Sequence, residues 1–251
     1  MEVLTLNGVV LRETEIKEND KILTVATDAL GKISVYCKGA KKINSKLSVG
    51  MGALSLLEME LKSGNDGMYI LTGSRTAVDF SGITRDLEAY AYCNYILHVC
   101  DDLFLEDEPF PELFKLLLNT VYLYSQNKKN KELIKCTFEL RSLFISGYAF
   151  DSDMCEDCGA EDKLSYIDLY NGGIYCEECG KQYECNKVSA DIIKVIKHIT
   201  YAEEKKLFSY SLPPELIKEL SIISTNYIKI CLEKRYSSLE YLRKIQKQLK
   251  G

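Results

Sequence analysis

The sequence predicts an α+β protein, with a small closed β-barrel at the N-terminus followed by a helical domain that carries a cysteine-bearing insert. Three observations predict it. The first 80 residues alternate apolar and polar positions in short runs separated by glycine turns; beyond Thr84 the apolar repeat lengthens to that of helices; and two Cys-x-x-Cys pairs lie in an acidic stretch between helical segments.

The barrel strands are expected at Val3 to Leu11, Ile22 to Thr27, Ile33 to Lys38, Ala53 to Leu61 and Met68 to Val78, all rich in β-branched or alternating apolar residues. Asp28-Ala29-Leu30-Gly31 and Ser63-Gly64-Asn65-Asp66-Gly67 supply turns with glycine where positive φ is needed. An open sheet of five short strands would leave exposed edges. Closure removes them, so the expected form is an OB-type barrel.

Helices follow. The run Leu87 to Phe104 is apolar nearly all round and is expected to be central. Leu113, Leu116, Leu117, Thr120, Val121 and Tyr124 form one stripe, with Pro109 and Pro111 at its start; Leu133, Cys136, Leu140, Leu143 and Phe144 form another. After the insert, helices resume over Ala190 to Thr200, Pro214 to Glu233 and Ser237 to Leu249. The domain plan read from this is 1–80 barrel, 81–150 first helical part, 151–185 insert and 186–251 second helical part.

No run is long and apolar enough for a membrane span, and the charged N-terminus does not read as a signal peptide, so a cytosolic protein without a membrane partner is expected. Cys93, Cys100, Cys136 and Cys231 sit in helical apolar patterns and read as small buried hydrophobes. The net charge of −5 argues against a generic polycation, but it hides a local patch. No acid occurs from Ala29 to Leu57, whereas Lys32, Lys38, Lys41, Lys42 and Lys46 all fall there.

Cys155, Cys158, Cys176 and Cys179 form a C-x₂-C, seventeen residues, C-x₂-C array, the spacing of a zinc ribbon. Each pair turns two sulfurs to one side, and Gly159 and Gly180 follow directly, letting backbone amides approach the thiolates. Four thiolates fill a tetrahedron and leave no water to activate, so one structural Zn²⁺ is expected and not a hydrolytic centre. Cys185 is a spare thiol, and a thiol redox pair is the competing reading of the motif.

Little in the sequence supports catalysis. His98 and His198 are the only histidines, Gly31-Lys32 and Gly180-Lys181 lack the frame that cradles phosphates, and Asp101, Asp102, Glu106, Asp107 and Glu108 read as a solvated helix end. No enzyme is expected.

A barrel, a helical body and a Cys₄ insert in this order resemble the bacterial recombination mediator family RecO. Lys38-Gly39-Ala40-Lys41-Lys42 with Ser45-Lys46 looks like the family's basic segment, Phe138-Glu139-Leu140-Arg141 with Gly147-Tyr148 like its helix entering the zinc module, and Gly172-Gly173, Ser238-Leu239 and Leu242 also fit. The resemblance implies a protein of DNA repair and recombination that binds single- and double-stranded DNA and anneals strands. It further implies contact with the single-stranded DNA-binding protein and, with RecR, help in loading RecA, in the cytoplasm at the nucleoid. Lys38, Lys41, Lys42 and Lys46, with Arg12, Arg75 and Tyr36 nearby, are the expected DNA contacts, and the basic run Lys229 to Lys250 widens the footprint. Lys135 and Arg141 are the expected partner-tail contacts. The rival readings are a zinc-ribbon and OB-fold accessory factor for RNA or a polymerase, and a zinc-assisted hydrolase.

Overall fold

The computed structural model describes residues 3–16, 18–42, 54–65, 67–148, 152–183 and 185–250; Ser45, Lys46, Ala53, Asp66 and Asp151 lie outside them. The elements are β1 (Leu4–Glu15), β2 (Lys21–Thr27), β3 (Gly31–Cys37), β4 (Ser55–Ser63), β5 (Tyr69–Asp79), α1 (Leu87–Leu103), α2 (Pro111–Gln126), α3 (Lys131–Ile145), β6 (Leu164–Asp168), β7 (Gly173–Cys176), α4 (Glu177–Gly180), β8 (Asn186–Lys187), α5 (Ala190–Tyr201), α6 (Pro214–Cys231) and α7 (Ser237–Lys250).

The first five strands close into a barrel in the order β1-β2-β3-β5-β4, the OB-type arrangement expected from the sequence. The long strand β1 makes closure possible. Its first half pairs with β4, from Leu4↔Leu61 to Val9↔Leu56, and its second half pairs with β2, from Gly8↔Thr27 to Glu15↔Lys21. A register shift between Val10 and Arg12 bends it from one neighbour to the other. The strands β3 and β5 complete the circuit through the parallel pairs Val35↔Tyr69 and Tyr36↔Ile70. Along β3 the side of Ile33, Val35 and Cys37 is buried while Lys32, Ser34 and Tyr36 are half-exposed, the period of two on which the strand assignment rested. Leu23, Val25, Leu57, Met59 and Leu61 fill the interior from the other strands.

Contacts divide the chain into two compact units, residues 1–128 with 236–251, and residues 129–235. In the first unit the C-terminal helix returns to α1: Tyr236 donates to Asp102 Oδ2 at 2.8 Å, His98 Nδ1 and Ser238 Oγ are 2.9 Å apart, and Gln246 donates to the Tyr92 hydroxyl at 2.7 Å. The acidic stretch that begins in the last turn of α1 is more than a solvated end. Asp101 receives Arg12 and Lys32, each at 3.4 Å, and the Lys32 amide donates to the Leu105 carbonyl at 2.9 Å. The β2–β3 turn can lie this close because residue 31 is glycine. Its φ is +67°, and a Cβ there would stand 2.1 Å from the Glu108 carbonyl oxygen.

The second unit packs α3, α5 and α6 with the cysteine insert, where β6 lies between β7 and β8. Lys135 on α3 is fully buried, 2.7 Å from the fully buried Glu139 one turn on and 2.8 Å from Thr225 Oγ1 of α6. Ser224 adds a bond to Glu139 at 2.6 Å. Burial opposes the lysine's charge, but Glu139, with Glu132, more than offsets it, and the ammonium is held charged above its ordinary range. Removing one partner of a buried pair strands the other. Lys135→Ala is therefore expected to cost about 3–5 kcal/mol in denaturant unfolding, while the double change Lys135→Met/Glu139→Leu recovers most of it; equal losses in both variants would show that the pair is not coupled.

Candidate metal centre and nucleic-acid interface

The seventeen residues between the two cysteine pairs are folded back by a hairpin. The strands β6 and β7 pair from Asp168↔Gly173 to Leu164↔Cys176, so the chain returns to the first pair as it reaches Cys176. The first pair sits in its own turn, closed by the Gly159 amide on the Cys155 carbonyl at 2.9 Å and the Cys155 amide on the Ala160 carbonyl at 2.8 Å. That turn docks on β7 through the Glu156 amide and the Ile174 carbonyl, 2.9 Å apart. On the other side Cys176 caps the single turn α4, its sulfur accepting the Cys179 amide at 3.5 Å.

The outcome is a cluster. The Sγ atoms of Cys155, Cys158, Cys176 and Cys179 all lie within 4.8 Å of one another, and those of Cys158 and Cys176 are 3.8 Å apart. A tetrahedral ion with bonds of about 2.3 Å sets its sulfurs roughly 3.8 Å apart, so the four can hold a metal ion. Cys155, Cys176 and Cys179 are buried and Cys158 is exposed. Burial resists ionisation of Cys155, but amides led by that of Cys158 point at its sulfur and bring its thiol down to about 6. Cys179 is pushed up, first by burial and then by the neighbouring sulfurs. Four sulfurs gathered in this way are a donor set suited to a soft divalent cation. Cys185 is not among the four.

Gly180 also makes room for packing. A Cβ there would meet the Tyr166 ring at 2.4 Å, so glycine lets the β6 tyrosine pack over the second cysteine turn.

On the barrel, the six expected nucleic-acid contacts divide by what each already holds. Arg75 is bidentate to Glu58, at 2.7 Å for both bonds, Lys41 meets Glu15 at 2.7 Å, and Arg12 meets Asp101. Lys38 and Lys42 are exposed, and no acid pairs with either among the described residues. Lys46 lies outside the described residues. The exposed pairs of Arg75 and Lys41 are weak in water, so a phosphate can replace the carboxylate at small cost. The turn bearing Lys38 to Lys42 is pinned from beneath by Asp20, which accepts the Tyr36 hydroxyl at 2.6 Å and the Gly39 amide at 2.7 Å, while the Lys41 amide donates to the Asn19 carbonyl at 3.1 Å. Tyr36 is therefore a strut of the turn as well as a surface ring.

Comparison with known proteins agrees with this architecture. Residues 1–78 match the family model described as Recombination protein O N terminal, and residues 84–240 match Recombination protein O C terminal. The chain belongs to the RecO family. It is 30% identical over 250 residues to DNA repair protein RecO of Acetivibrio thermocellus, covering 98% of this chain and 99% of the relative. The protein of the same name from Clostridium perfringens is 30% identical over 252 residues, covering 98% and 100%, and that from Desulforamulus reducens is 30% identical over 255 residues, covering 100% and 98%.

The segment that resembles the RecO helix before the cysteine module corrects one expectation. Lys135 cannot meet a partner's tail, because it is fully buried with Glu139. Arg141 is half-buried, donates to the Ile199 carbonyl at 3.0 Å and to the Thr200 carbonyl, and lies over the Phe144 ring. It closes the C-terminal end of α5. Asp20 was missed from sequence, and Asp101 was read as part of a solvated helix end, because their partners lie on other elements.

A metal-content and unfolding measurement checks the centre. Cys176→Ser is expected to lose the bound ion and to unfold at lower denaturant, because ligand binding here is folding energy; a variant that keeps full metal and normal stability removes Cys176 from the ligand set.

Proposed function

We propose that this chain is a non-enzymatic recombination mediator of DNA repair, in which the barrel turn grips the phosphate backbone and one structural Zn²⁺ holds the insert. The observation that carries the reading is the pair Lys38 and Lys42, exposed and without an acidic partner among the described residues, on a turn that Asp20 pins beside an OB-type barrel. Membership of the RecO family and relatives named for DNA repair support it.

In this reading Lys38 and Lys42 take phosphates first, and Lys41 and Arg75 exchange their carboxylates for phosphates as the strand settles. Nothing is turned over. Two complementary strands held by backbone contacts keep their base edges free, so annealing of single strands needs no nucleotide hydrolysis. Double-stranded DNA binds through the same backbone contacts. On strands coated by the single-stranded DNA-binding protein, the chain works with RecR to help load RecA, in the cytoplasm at the nucleoid. Arg141 is the remaining candidate contact for that protein's acidic tail. In the metal site four thiolates leave no open position, so the ion serves structure.

Charge reversal tests it. Lys38→Glu/Lys42→Glu is expected to weaken single-strand binding on the order of tenfold, to lower the slope of log affinity against log salt by about 1.4, and to slow annealing, with an unchanged melting temperature. Unchanged affinity and slope would remove this turn from the site, and wild-type protein that preferred RNA and failed to anneal DNA would favour an accessory factor.

A further inference from the structure

A cavity of about 590 Å³ lies in the unit 129–235, between the β6–β7 turn and the C-terminal end of α6. Neither the metal centre nor the barrel face uses it. Its wall carries three cations, Lys229, Lys234 and Arg235, against the single carboxylate of Glu233, together with Asn186, Asn226 and Tyr170. Lys229 and Arg235 have no ion pair among the described residues.

Tyr170 is 83% exposed, on a turn whose backbone is held by hydrogen bonds. Asp168 accepts the Tyr170 amide at 2.8 Å, the Asn171 amide at 3.2 Å and the Asn171 side chain at 2.6 Å, which fixes the turn. An aromatic ring that buries almost nothing gives the core no packing and leaves its face open to a ligand. Exposed amides of Asn186 and Asn226 offer donors and acceptors to the edge of a base. Ring, amides and cations around one cavity are the set that binds single-stranded nucleic acid: a π-face for the base and positive charge for the backbone. An acidic peptide would use the cations, whereas a nucleotide brings a flat π-face for the ring together with the phosphates.

We propose that this cavity is a second single-strand site, taking a base against Tyr170 and the flanking phosphates on Lys229, Lys234 and Arg235. It rests on the nucleic-acid reading above and goes beyond it, because it gives each of the two compact units its own strand contact. A protein that anneals two strands without an energy source gains from holding each separately.

The chain contains no tryptophan, so Tyr170→Trp in the full-length protein installs a single reporter. Oligothymidylate should quench the introduced indole as the base stacks on it, and the quench should persist when Lys38→Glu/Lys42→Glu is added. Lys229→Glu/Arg235→Glu should abolish the quench and lower the salt slope of binding by about 1.4, while metal content and circular dichroism stay unchanged. Tyr170→Ala should weaken oligothymidylate binding roughly tenfold in the Lys38→Glu/Lys42→Glu background. Binding of labelled oligothymidylate by anisotropy without any quench overturns this site and leaves the barrel reading standing. Absence of oligonucleotide binding in the wild-type protein overturns both. Quenching by an acidic peptide and not by oligothymidylate makes the cavity a peptide groove and overturns the proposal.

Discussion

Four sulfur atoms converge at one point of the insert. The strands β6 and β7 have five and four residues and β8 only two, and Leu164, Ile167 and Ile174 supply most of their buried apolar contact. So small a core cannot offset the entropy of ordering the chain. The register of one hairpin brings the two cysteine turns together, and with Cys155, Cys158, Cys176 and Cys179 within 4.8 Å of one another the cluster could hold a metal ion. The Tyr166 packing over Gly180 and the presentation of Tyr170 both depend on that hairpin.

Charge in the barrel unit is sorted by geometry and not by composition. Asp101, in the last turn of α1, takes Arg12 and Lys32, and the Leu105 carbonyl just beyond the helix accepts the Lys32 amide, so the β2–β3 turn is fastened to the helical layer. Glu58 and Glu15 hold Arg75 and Lys41 at the surface, where water weakens both pairs. Lys38 and Lys42, on a turn pinned by Asp20, have no acidic partner among the described residues. A chain of net charge −5 can thus present a local face to a polyanion.

The barrel strands and the six long helices were legible because each has one buried side and the apolar period reports it: two along β3, and the i, i+3, i+4 stripe of Leu113, Leu116 and Leu117. The cysteine cluster was legible because ligand spacing is local in the chain. Contacts between distant segments were not. Lys135 reads from sequence as a surface cation, and only the approach of α6 with Ser224 and Thr225 makes a buried place for it. The basic run from Lys229 onward reads as one patch, yet Lys229, Lys234 and Arg235 belong to one compact unit and Arg243, Lys244 and Lys247 to the other. Tyr170 had no signal at all in the sequence, since one aromatic residue in a turn gives no period to read.

X-ray absorption at the zinc edge of the purified protein tests the thiolate centre most directly. The expected spectrum is one zinc per chain with four sulfur neighbours at about 2.3 Å and no lighter ligand. A folded chain without zinc, or a first shell containing oxygen or nitrogen, would contradict it.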